Sequence, residues 1–182
     1  MSTNRIYEEN VREIVGRPGE MRERARDFDI PEAFGEALAT IPAGEHMELE
    51  VRLESVHEGI LVTAEARTTM HAECGRCLTR FTEPFQVDFQ ELFAYTPTEA
   101  DEYEVHGDHV NLEPPLRDAV VLALPFQPVC RPDCPGLDPE TGDVRADGAA
   151  AEPVAVDPRW AALAGFLAED TDVDRQSDPE SK

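Results

Sequence analysis

The stretch MELEVRLESVHEGILVTAEARTTMHAEC, Met47 to Cys74, decides the fold. Met47, Leu49, Val51 and Leu53 alternate with Glu48, Glu50, Arg52 and Glu54, which puts the apolar side chains on one face of an extended chain and the charges on the other. A turn at His57, Glu58 and Gly59 follows, and the alternation resumes. Ile60, Val62, Ala64, Ala66, Thr68, Met70 and Ala72 share one face, while Thr63, Glu65, Arg67, Thr69 and His71 take most of the other. Two such segments joined by a glycine-containing turn predict a long hairpin in a half-buried antiparallel sheet. The second strand runs straight into Cys74. The CGRC of Cys74 to Cys77 therefore sits at its far end, where a chain reversal precedes a third strand in FTEPFQVDFQELFAY through Phe85, Val87 and Phe89.

Outward from this hairpin the signals are shorter. Tyr103 and Val105, then Val110 and Leu112, predict a small hairpin around Gly107 and Asp108. Pro114 or Pro115 near a first helical position, with Leu116, Val120 and Leu124 at four-residue spacing, predicts a helix that Pro125 stops. On the N-terminal side, RIYEENVREIVGRPGEMRERARDF balances acids with arginines and is broken at Gly16, Pro18 and Gly19, which fits short helices or an edge strand.

These readings give a single α+β domain over residues 1–139, mainly antiparallel sheet with a few short helices. Residues 140–156, ETGDVRADGAAAEPVAV, have too few large apolar residues to bury and read as a flexible linker. Residues 157–169 read as a helix that docks on the domain, with Asp157 as N-cap, Pro158 at its first position, and Trp160, Leu163, Ala164 and Leu167 on one side. Residues 170–182 read as a disordered acidic tail.

The 182 residues carry 39 Asp and Glu against 16 Lys and Arg, a net charge of −23. Bulk attraction to nucleic acid is excluded as the main source of affinity, because neutralising phosphates requires a basic face. A basic protein is the easier partner, although acid of this kind also serves simply to solubilise a surface. The charge is uneven. Glu99, Asp101, Glu102, Glu104, Asp108 and Glu113 form an acidic run, whereas Arg67, Arg76 and Arg80 lie around the first cysteine pair and Arg131 follows Cys130. If the cysteine pairs meet, these arginines form a small cationic island able to contact RNA or phosphate. The longest apolar run, AVVLALPF from Ala119 to Phe126, is far short of the ~18 residues of a membrane span, and the polar N-terminal residues predict a cytoplasmic chain without a leader.

Four cysteines in a chain of this length favour metal or thiol chemistry over a disulfide framework. Cys74 and Cys77 are separated by two residues, and Cys130 and Cys134 by three. Each spacing lets two sulfurs face one centre from a tight turn, and two pairs complete a closed structural zinc site, provided the fold brings them together. Two other readings stand beside it: thiols that merely pack, and a redox CGRC. The last needs a helix N-terminus after the strand to stabilise a thiolate, and LTRFTEPF predicts none. His71, His106 and His109 could lend a nitrogen to a metal, but a lone His on a strand or acidic loop is more often solvated. Asp138 is either an oxygen ligand or a turn cap. No phosphate loop, nucleophile elbow or carboxylate pair with an adjacent base can be assembled, so no catalytic residue is assigned and the chain reads as non-enzymatic.

RPGEM, RLESVHEGILVTAEA, CGRCL with FQELFAY, LRDAVVLALPFQPVCRPDCPGL and DPRWAAL stand in an order that resembles the YceD family, bacterial large ribosomal RNA subunit accumulation proteins, in the form found in high-GC Gram-positive bacteria. The resemblance implies a cytoplasmic ribosome-biogenesis protein without established catalysis, and implies that Cys74, Cys77, Cys130 and Cys134 belong to the family's cysteine clusters. Similar members continue with GLCPxCG. This chain reads GLDPETG, with Asp138 and Thr141 in register with the last two family cysteines. If those two are the family's ligands, this chain has lost its metal. Taken with the charge, the resemblance points to a factor that holds a basic ribosomal protein or assembly factor, with limited RNA contact. A thiol-based redox or metal-sensing module is the alternative.

Overall fold

The computed structural model describes residues 3–99 and 102–146. Strands β4 (His46–Ser55) and β5 (Gly59–Glu73) form the predicted hairpin, paired in antiparallel register from Ser55↔Ile60 to Glu48↔Arg67. β6 (Arg80–Ala94) then runs antiparallel to β5 over its whole length, from Glu73↔Arg80 to Gly59↔Ala94. Gly59 is needed for this pairing rather than for a turn dihedral. A Cβ there would lie 2.1 Å from the Phe93 carbonyl oxygen, so any side chain would force the two strands apart.

Around this three-strand centre the remaining strands are short or charged. β2 (Met21–Asp29) pairs antiparallel with β4 as an edge strand, one of the two forms the N-terminal segment allowed. β3 (Ala39–Thr40) pairs with β5 at Ala72 and His71, beyond the reach of β4. β7 (Tyr103–Glu104) lies parallel to β6 at Phe93 and Ala94, so the six-stranded sheet is mixed, in the order β2-β4-β5-β6-β7 with β3 on β5. β8 (His109–Asn111) pairs instead with β1 (Glu8–Asn10) in a separate two-stranded sheet. The predicted small hairpin is thereby corrected. Its two arms meet only at a His106↔His109 bridge, and each takes its main partner from elsewhere, β7 from β6 and β8 from β1.

One α-helix is present among the described residues, the predicted α1 (Glu113–Ala123), together with a 3-10 turn at Thr3–Ile6. Pro114 and Pro115 open α1, the Asn111 side chain accepts the Glu113 N–H at 3.1 Å, and Leu124 ends it before Pro125. Leu116 and Val120 are buried against the inner sheet face. There Met47, Leu49, Val51, Leu53, Ile60, Val62, Ala64, Ala66 and Phe93 form the core with Phe34, Ile41 and Leu112. The described residues are therefore mostly β-sheet with one short helix. The described residues up to Arg145 fold as one compact unit.

The predicted linker does not begin at 140. Leu137 and Val144 form a β-bridge, Arg145 N–H donates to the Gly136 carbonyl at 3.0 Å, and Asp138 N–H donates to the Asp143 carbonyl at 2.8 Å. Residues 136–145 thus close a small loop, which polar side chains and turn hydrogen bonds build without apolar periodicity. The rest of the predicted linker, the docking helix at 157–169 and the acidic tail at 170–182 lie outside the described residues.

Candidate metal centre

Cys74 follows the last residue of β5 and Arg80 begins β6, so the CGRC motif is the reversal of the β5–β6 hairpin. Cys74 N–H donates to the Thr79 carbonyl and Leu78 N–H to the Cys74 carbonyl, at 3.0 and 2.9 Å. Closing this reversal turns Leu78 to a φ of +57°, a left-handed position that costs a residue with a Cβ about 1–2 kcal/mol. Arg76 N–H points at the Cys74 sulfur, 3.4 Å away. The second pair arrives on the irregular segment after α1, in which Cys134 N–H donates to the Arg131 carbonyl.

The two loops are stitched to each other. Gly75 N–H donates to the Pro128 carbonyl at 2.8 Å. The Arg76 guanidinium reaches across to the carbonyls of Pro132 and Cys134, at 3.0 and 3.3 Å. Gly136, at φ +77°, packs so closely that a Cβ would stand 3.3 Å from the Arg76 carbonyl oxygen. Sequence reading missed these roles of Arg76, Leu78 and Gly136. Only the Pro-Gly after Cys134 carried a local signal, that of a turn needing positive φ.

This stitching brings all four sulfurs within 4.8 Å of one another. Cys74 and Cys134 sulfurs are 3.8 Å apart, as are those of Cys77 and Cys130. Metal–sulfur bonds of about 2.3 Å in a tetrahedron give sulfur–sulfur edges of about 3.8 Å, so both of these edges match a closed four-thiolate site. They are far too long for disulfides, and all four thiols are free. Cys74, Cys77 and Cys134 are buried and Cys130 is exposed, and the cluster packs with Phe81, Val129 and Leu137 apart from the main core.

The thiols are electrostatically unequal. Burial pushes Cys74 up, but the backbone N–H groups of Cys130, Cys77 and Arg76 outweigh it and bring the thiol down to about 6. Hydrogen bonds from the Thr79 side chain and backbone lower Cys77 as well. Desolvation and the neighbouring sulfurs push Cys130 up to about 12. For Cys134 the Gly136 N–H pulls down, yet desolvation and the Cys77 sulfur leave it raised. Two sulfurs are thus prepared to carry charge, and their crowding resists the other two. A divalent cation removes that conflict.

Asp138 is not part of this cluster among the described residues. Its Oδ1 accepts the N–H groups of Thr141 and Glu140, at 3.0 and 2.9 Å, and these bonds lower its pKa. It is a turn cap, and Thr141 is part of the same turn. His71 hydrogen-bonds to Glu45 at 2.8 Å, His106 lies 3.3 Å from Glu104, and His109 bonds to Asn10 at 3.2 Å. None joins the sulfurs. The redox geometry is missing too, since a strand rather than a helix follows Cys77.

The sequence profile of the family described as large ribosomal RNA subunit accumulation protein YceD matches residues 62–167. The chain belongs to the YceD family. Relatives of this YceD chain include an uncharacterized protein of Mycobacterium tuberculosis, 40% identical over 170 residues that cover 90% of this chain and 82% of the relative. Another, from Mycobacterium leprae, is 34% identical over 89% of this chain and 78% of the relative. No solved structure matches the chain. The profile begins within β5 and spans both cysteine pairs.

The arginines expected around the YceD cysteines divide. Arg76, Arg80 and Arg131 lie on the cysteine loops or next to them, but Arg67 does not. It stands seven residues before Cys74 on β5, roughly 23 Å along the strand, and is paired with Glu50 and Glu65. Arg80 lies 3.7 Å from Glu73 and Arg131 3.6 Å from Asp133. The cationic island is therefore smaller than the sequence predicts, and acids lie at its border. Among the described residues, no helix is long and apolar enough to cross a membrane.

Proposed function

We propose that this chain is a non-enzymatic, cytoplasmic ribosome-biogenesis factor. It supports accumulation of large-subunit ribosomal RNA by holding a basic ribosomal protein or assembly factor, with zinc held structurally by Cys74, Cys77, Cys130 and Cys134. The observation that carries this reading is the family match across residues 62–167, the region containing both cysteine pairs. The net charge of −23 supports a basic protein as the partner, since the chain as a whole repels RNA. RNA contact is then confined to the exposed guanidinium groups of Arg76, Arg80 and Arg131. Held by Cys74 and Cys77 on one side and Cys130 and Cys134 on the other, a zinc ion would cross-link the β5–β6 hairpin to the segment after α1. The chain's own groups do the rest: N–H donors stabilise the thiolates, and Arg76 fixes one loop on the other.

Immobilised full-length chain should retain purified ribosomal proteins or pre-ribosomal particles at low salt and release them as ionic strength rises. Recovery of none even at low ionic strength would contradict the reading.

A further inference from the structure

The sheet has two long edges, and they are guarded differently. On β2, Arg26 pairs with Glu9 and donates to the Glu8 carbonyl, while Arg22 pairs with Glu13, so the N-terminal segment engages that edge strand. On β6 the only pairing on the side away from β5, among the described residues, is with β7 at Phe93 and Ala94. The hydrogen-bond phase of the β5–β6 ladder is fixed at both ends, where Tyr95 N–H donates to the Glu58 carbonyl and Cys74 N–H to the Thr79 carbonyl. With that phase, odd-numbered β6 residues turn their backbone groups to β5 and even-numbered ones turn theirs outward. Val105 N–H donating to the Ala94 carbonyl agrees with it.

The outward groups therefore belong to Thr82, Pro84, Gln86, Asp88 and Gln90, all of them exposed. Pro84 falls where its missing N–H is outside the β5 ladder, as proline in an edge strand requires. Thr82, Gln86, Asp88 and Gln90 offer N–H groups, and all five offer carbonyls, that make no backbone hydrogen bond among the described residues. The side chains along this edge carry more acid than base. Asp88 is in register with Glu65, which is in register with Glu50, a row of carboxylates offset by Arg67. β6 itself carries Glu83, Asp88 and Glu91 against Arg80 alone. A second copy of this chain would set the same carboxylates against one another on molecules of net charge −23.

We infer that the Thr82–Gln90 edge of β6 binds an extended, Arg- or Lys-rich segment of a protein partner by strand addition. Main-chain bonds to Gln86, Asp88 and Gln90 supply the pairing, and the carboxylate row selects basic side chains. The inference rests on the proposed reading that the partner is a basic protein.

Full-length chain is titrated with an acetylated ten-residue peptide of alternating arginine and valine, with its glutamate–valine counterpart as control. Amide exchange at Gln86, Asp88 and Gln90 should slow by roughly tenfold or more with the basic peptide alone. The N–H groups of Val87 and Phe89, already bonded to β5, should change little. Gln86→Pro with Gln90→Pro removes two outward donors and should abolish the effect. Asp88→Lys, which alters no backbone group, should weaken it in a chain whose unbound exchange pattern matches wild type. No binding, protection elsewhere, or equal protection by the acidic peptide overturns the inference. If wild type and the double proline variant retain ribosomal proteins equally, the edge is wrong and the partner class stands. If the peptide docks on β6 but no ribosomal protein is retained, the partner class is wrong and the edge stands.

Discussion

The β5–β6 ladder and the segment from Pro128 to Arg145 meet at the cysteines, yet different physics holds them. The ladder is paired from Gly59↔Ala94 to Glu73↔Arg80 and buries Ile60, Val62 and Phe93 completely on one face. Burial of such side chains contributes about 1.5–3 kcal/mol each, without any cofactor. The segment after α1 has one β-bridge, Leu137↔Val144, a few turn hydrogen bonds, and a small satellite cluster in which its Cys134, Val129 and Leu137 pack with Cys74, Cys77 and Phe81 of the hairpin. A sheet can stand on apolar area alone. A loop this poor in apolar side chains needs a cross-link, and the four sulfurs are placed to provide one.

Changes on either side should separate the two regions. Phe93→Ala removes a fully buried ring that packs on Tyr103 and should cost about 3–5 kcal/mol of global stability, read as a lower denaturant midpoint with both regions lost together. Cys77→Ser, or a strong chelator, should release the metal and speed amide exchange at Gly75, Cys134 and Arg145 by roughly a hundredfold or more, with Val62 and Ala64 unchanged. Simultaneous loss of sheet protection would show that the regions are one cooperative unit. Gly136→Ala meets both a φ of +77° and the Arg76 carbonyl, and should cost about 1–2 kcal/mol, expressed as weaker metal retention. Arg67→Gln, on the exposed sheet face, should leave the metal content unchanged and the thermal midpoint nearly so, and a loss of metal would place Arg67 in the centre after all.

What the sequence made legible follows from where each signal resides. The Met47 to Cys74 hairpin was legible because one buried face imposes alternation on every residue, and the same rule exposed β6 and, at helical period, α1. β2 escaped it. MRERARDFD sets Arg22, Arg24 and Arg26 opposite the buried residues of β4, and Arg22 and Arg26 find Glu13 and Glu9 from the N-terminal segment, so no apolar pattern marks the strand. β7 and β8 were recognisable as strands, but their partners were not, since β8 pairs with residues 8–10 about a hundred positions away. At the cysteine cluster, spacing picked out the four sulfurs that the fold brings together. It could not show that Arg76 clasps the second loop, or that Asp138 is a cap, because both depend on contacts that exist only after the two loops have met.

X-ray absorption on metal-loaded, full-length chain, with metal content measured alongside, tests the central claim most directly. The expected result is one zinc per chain, bound by four sulfurs at about 2.3 Å. A chain that holds no zinc when offered it under reducing conditions, or a shell in which nitrogen or oxygen replaces one pair of sulfurs, would contradict it.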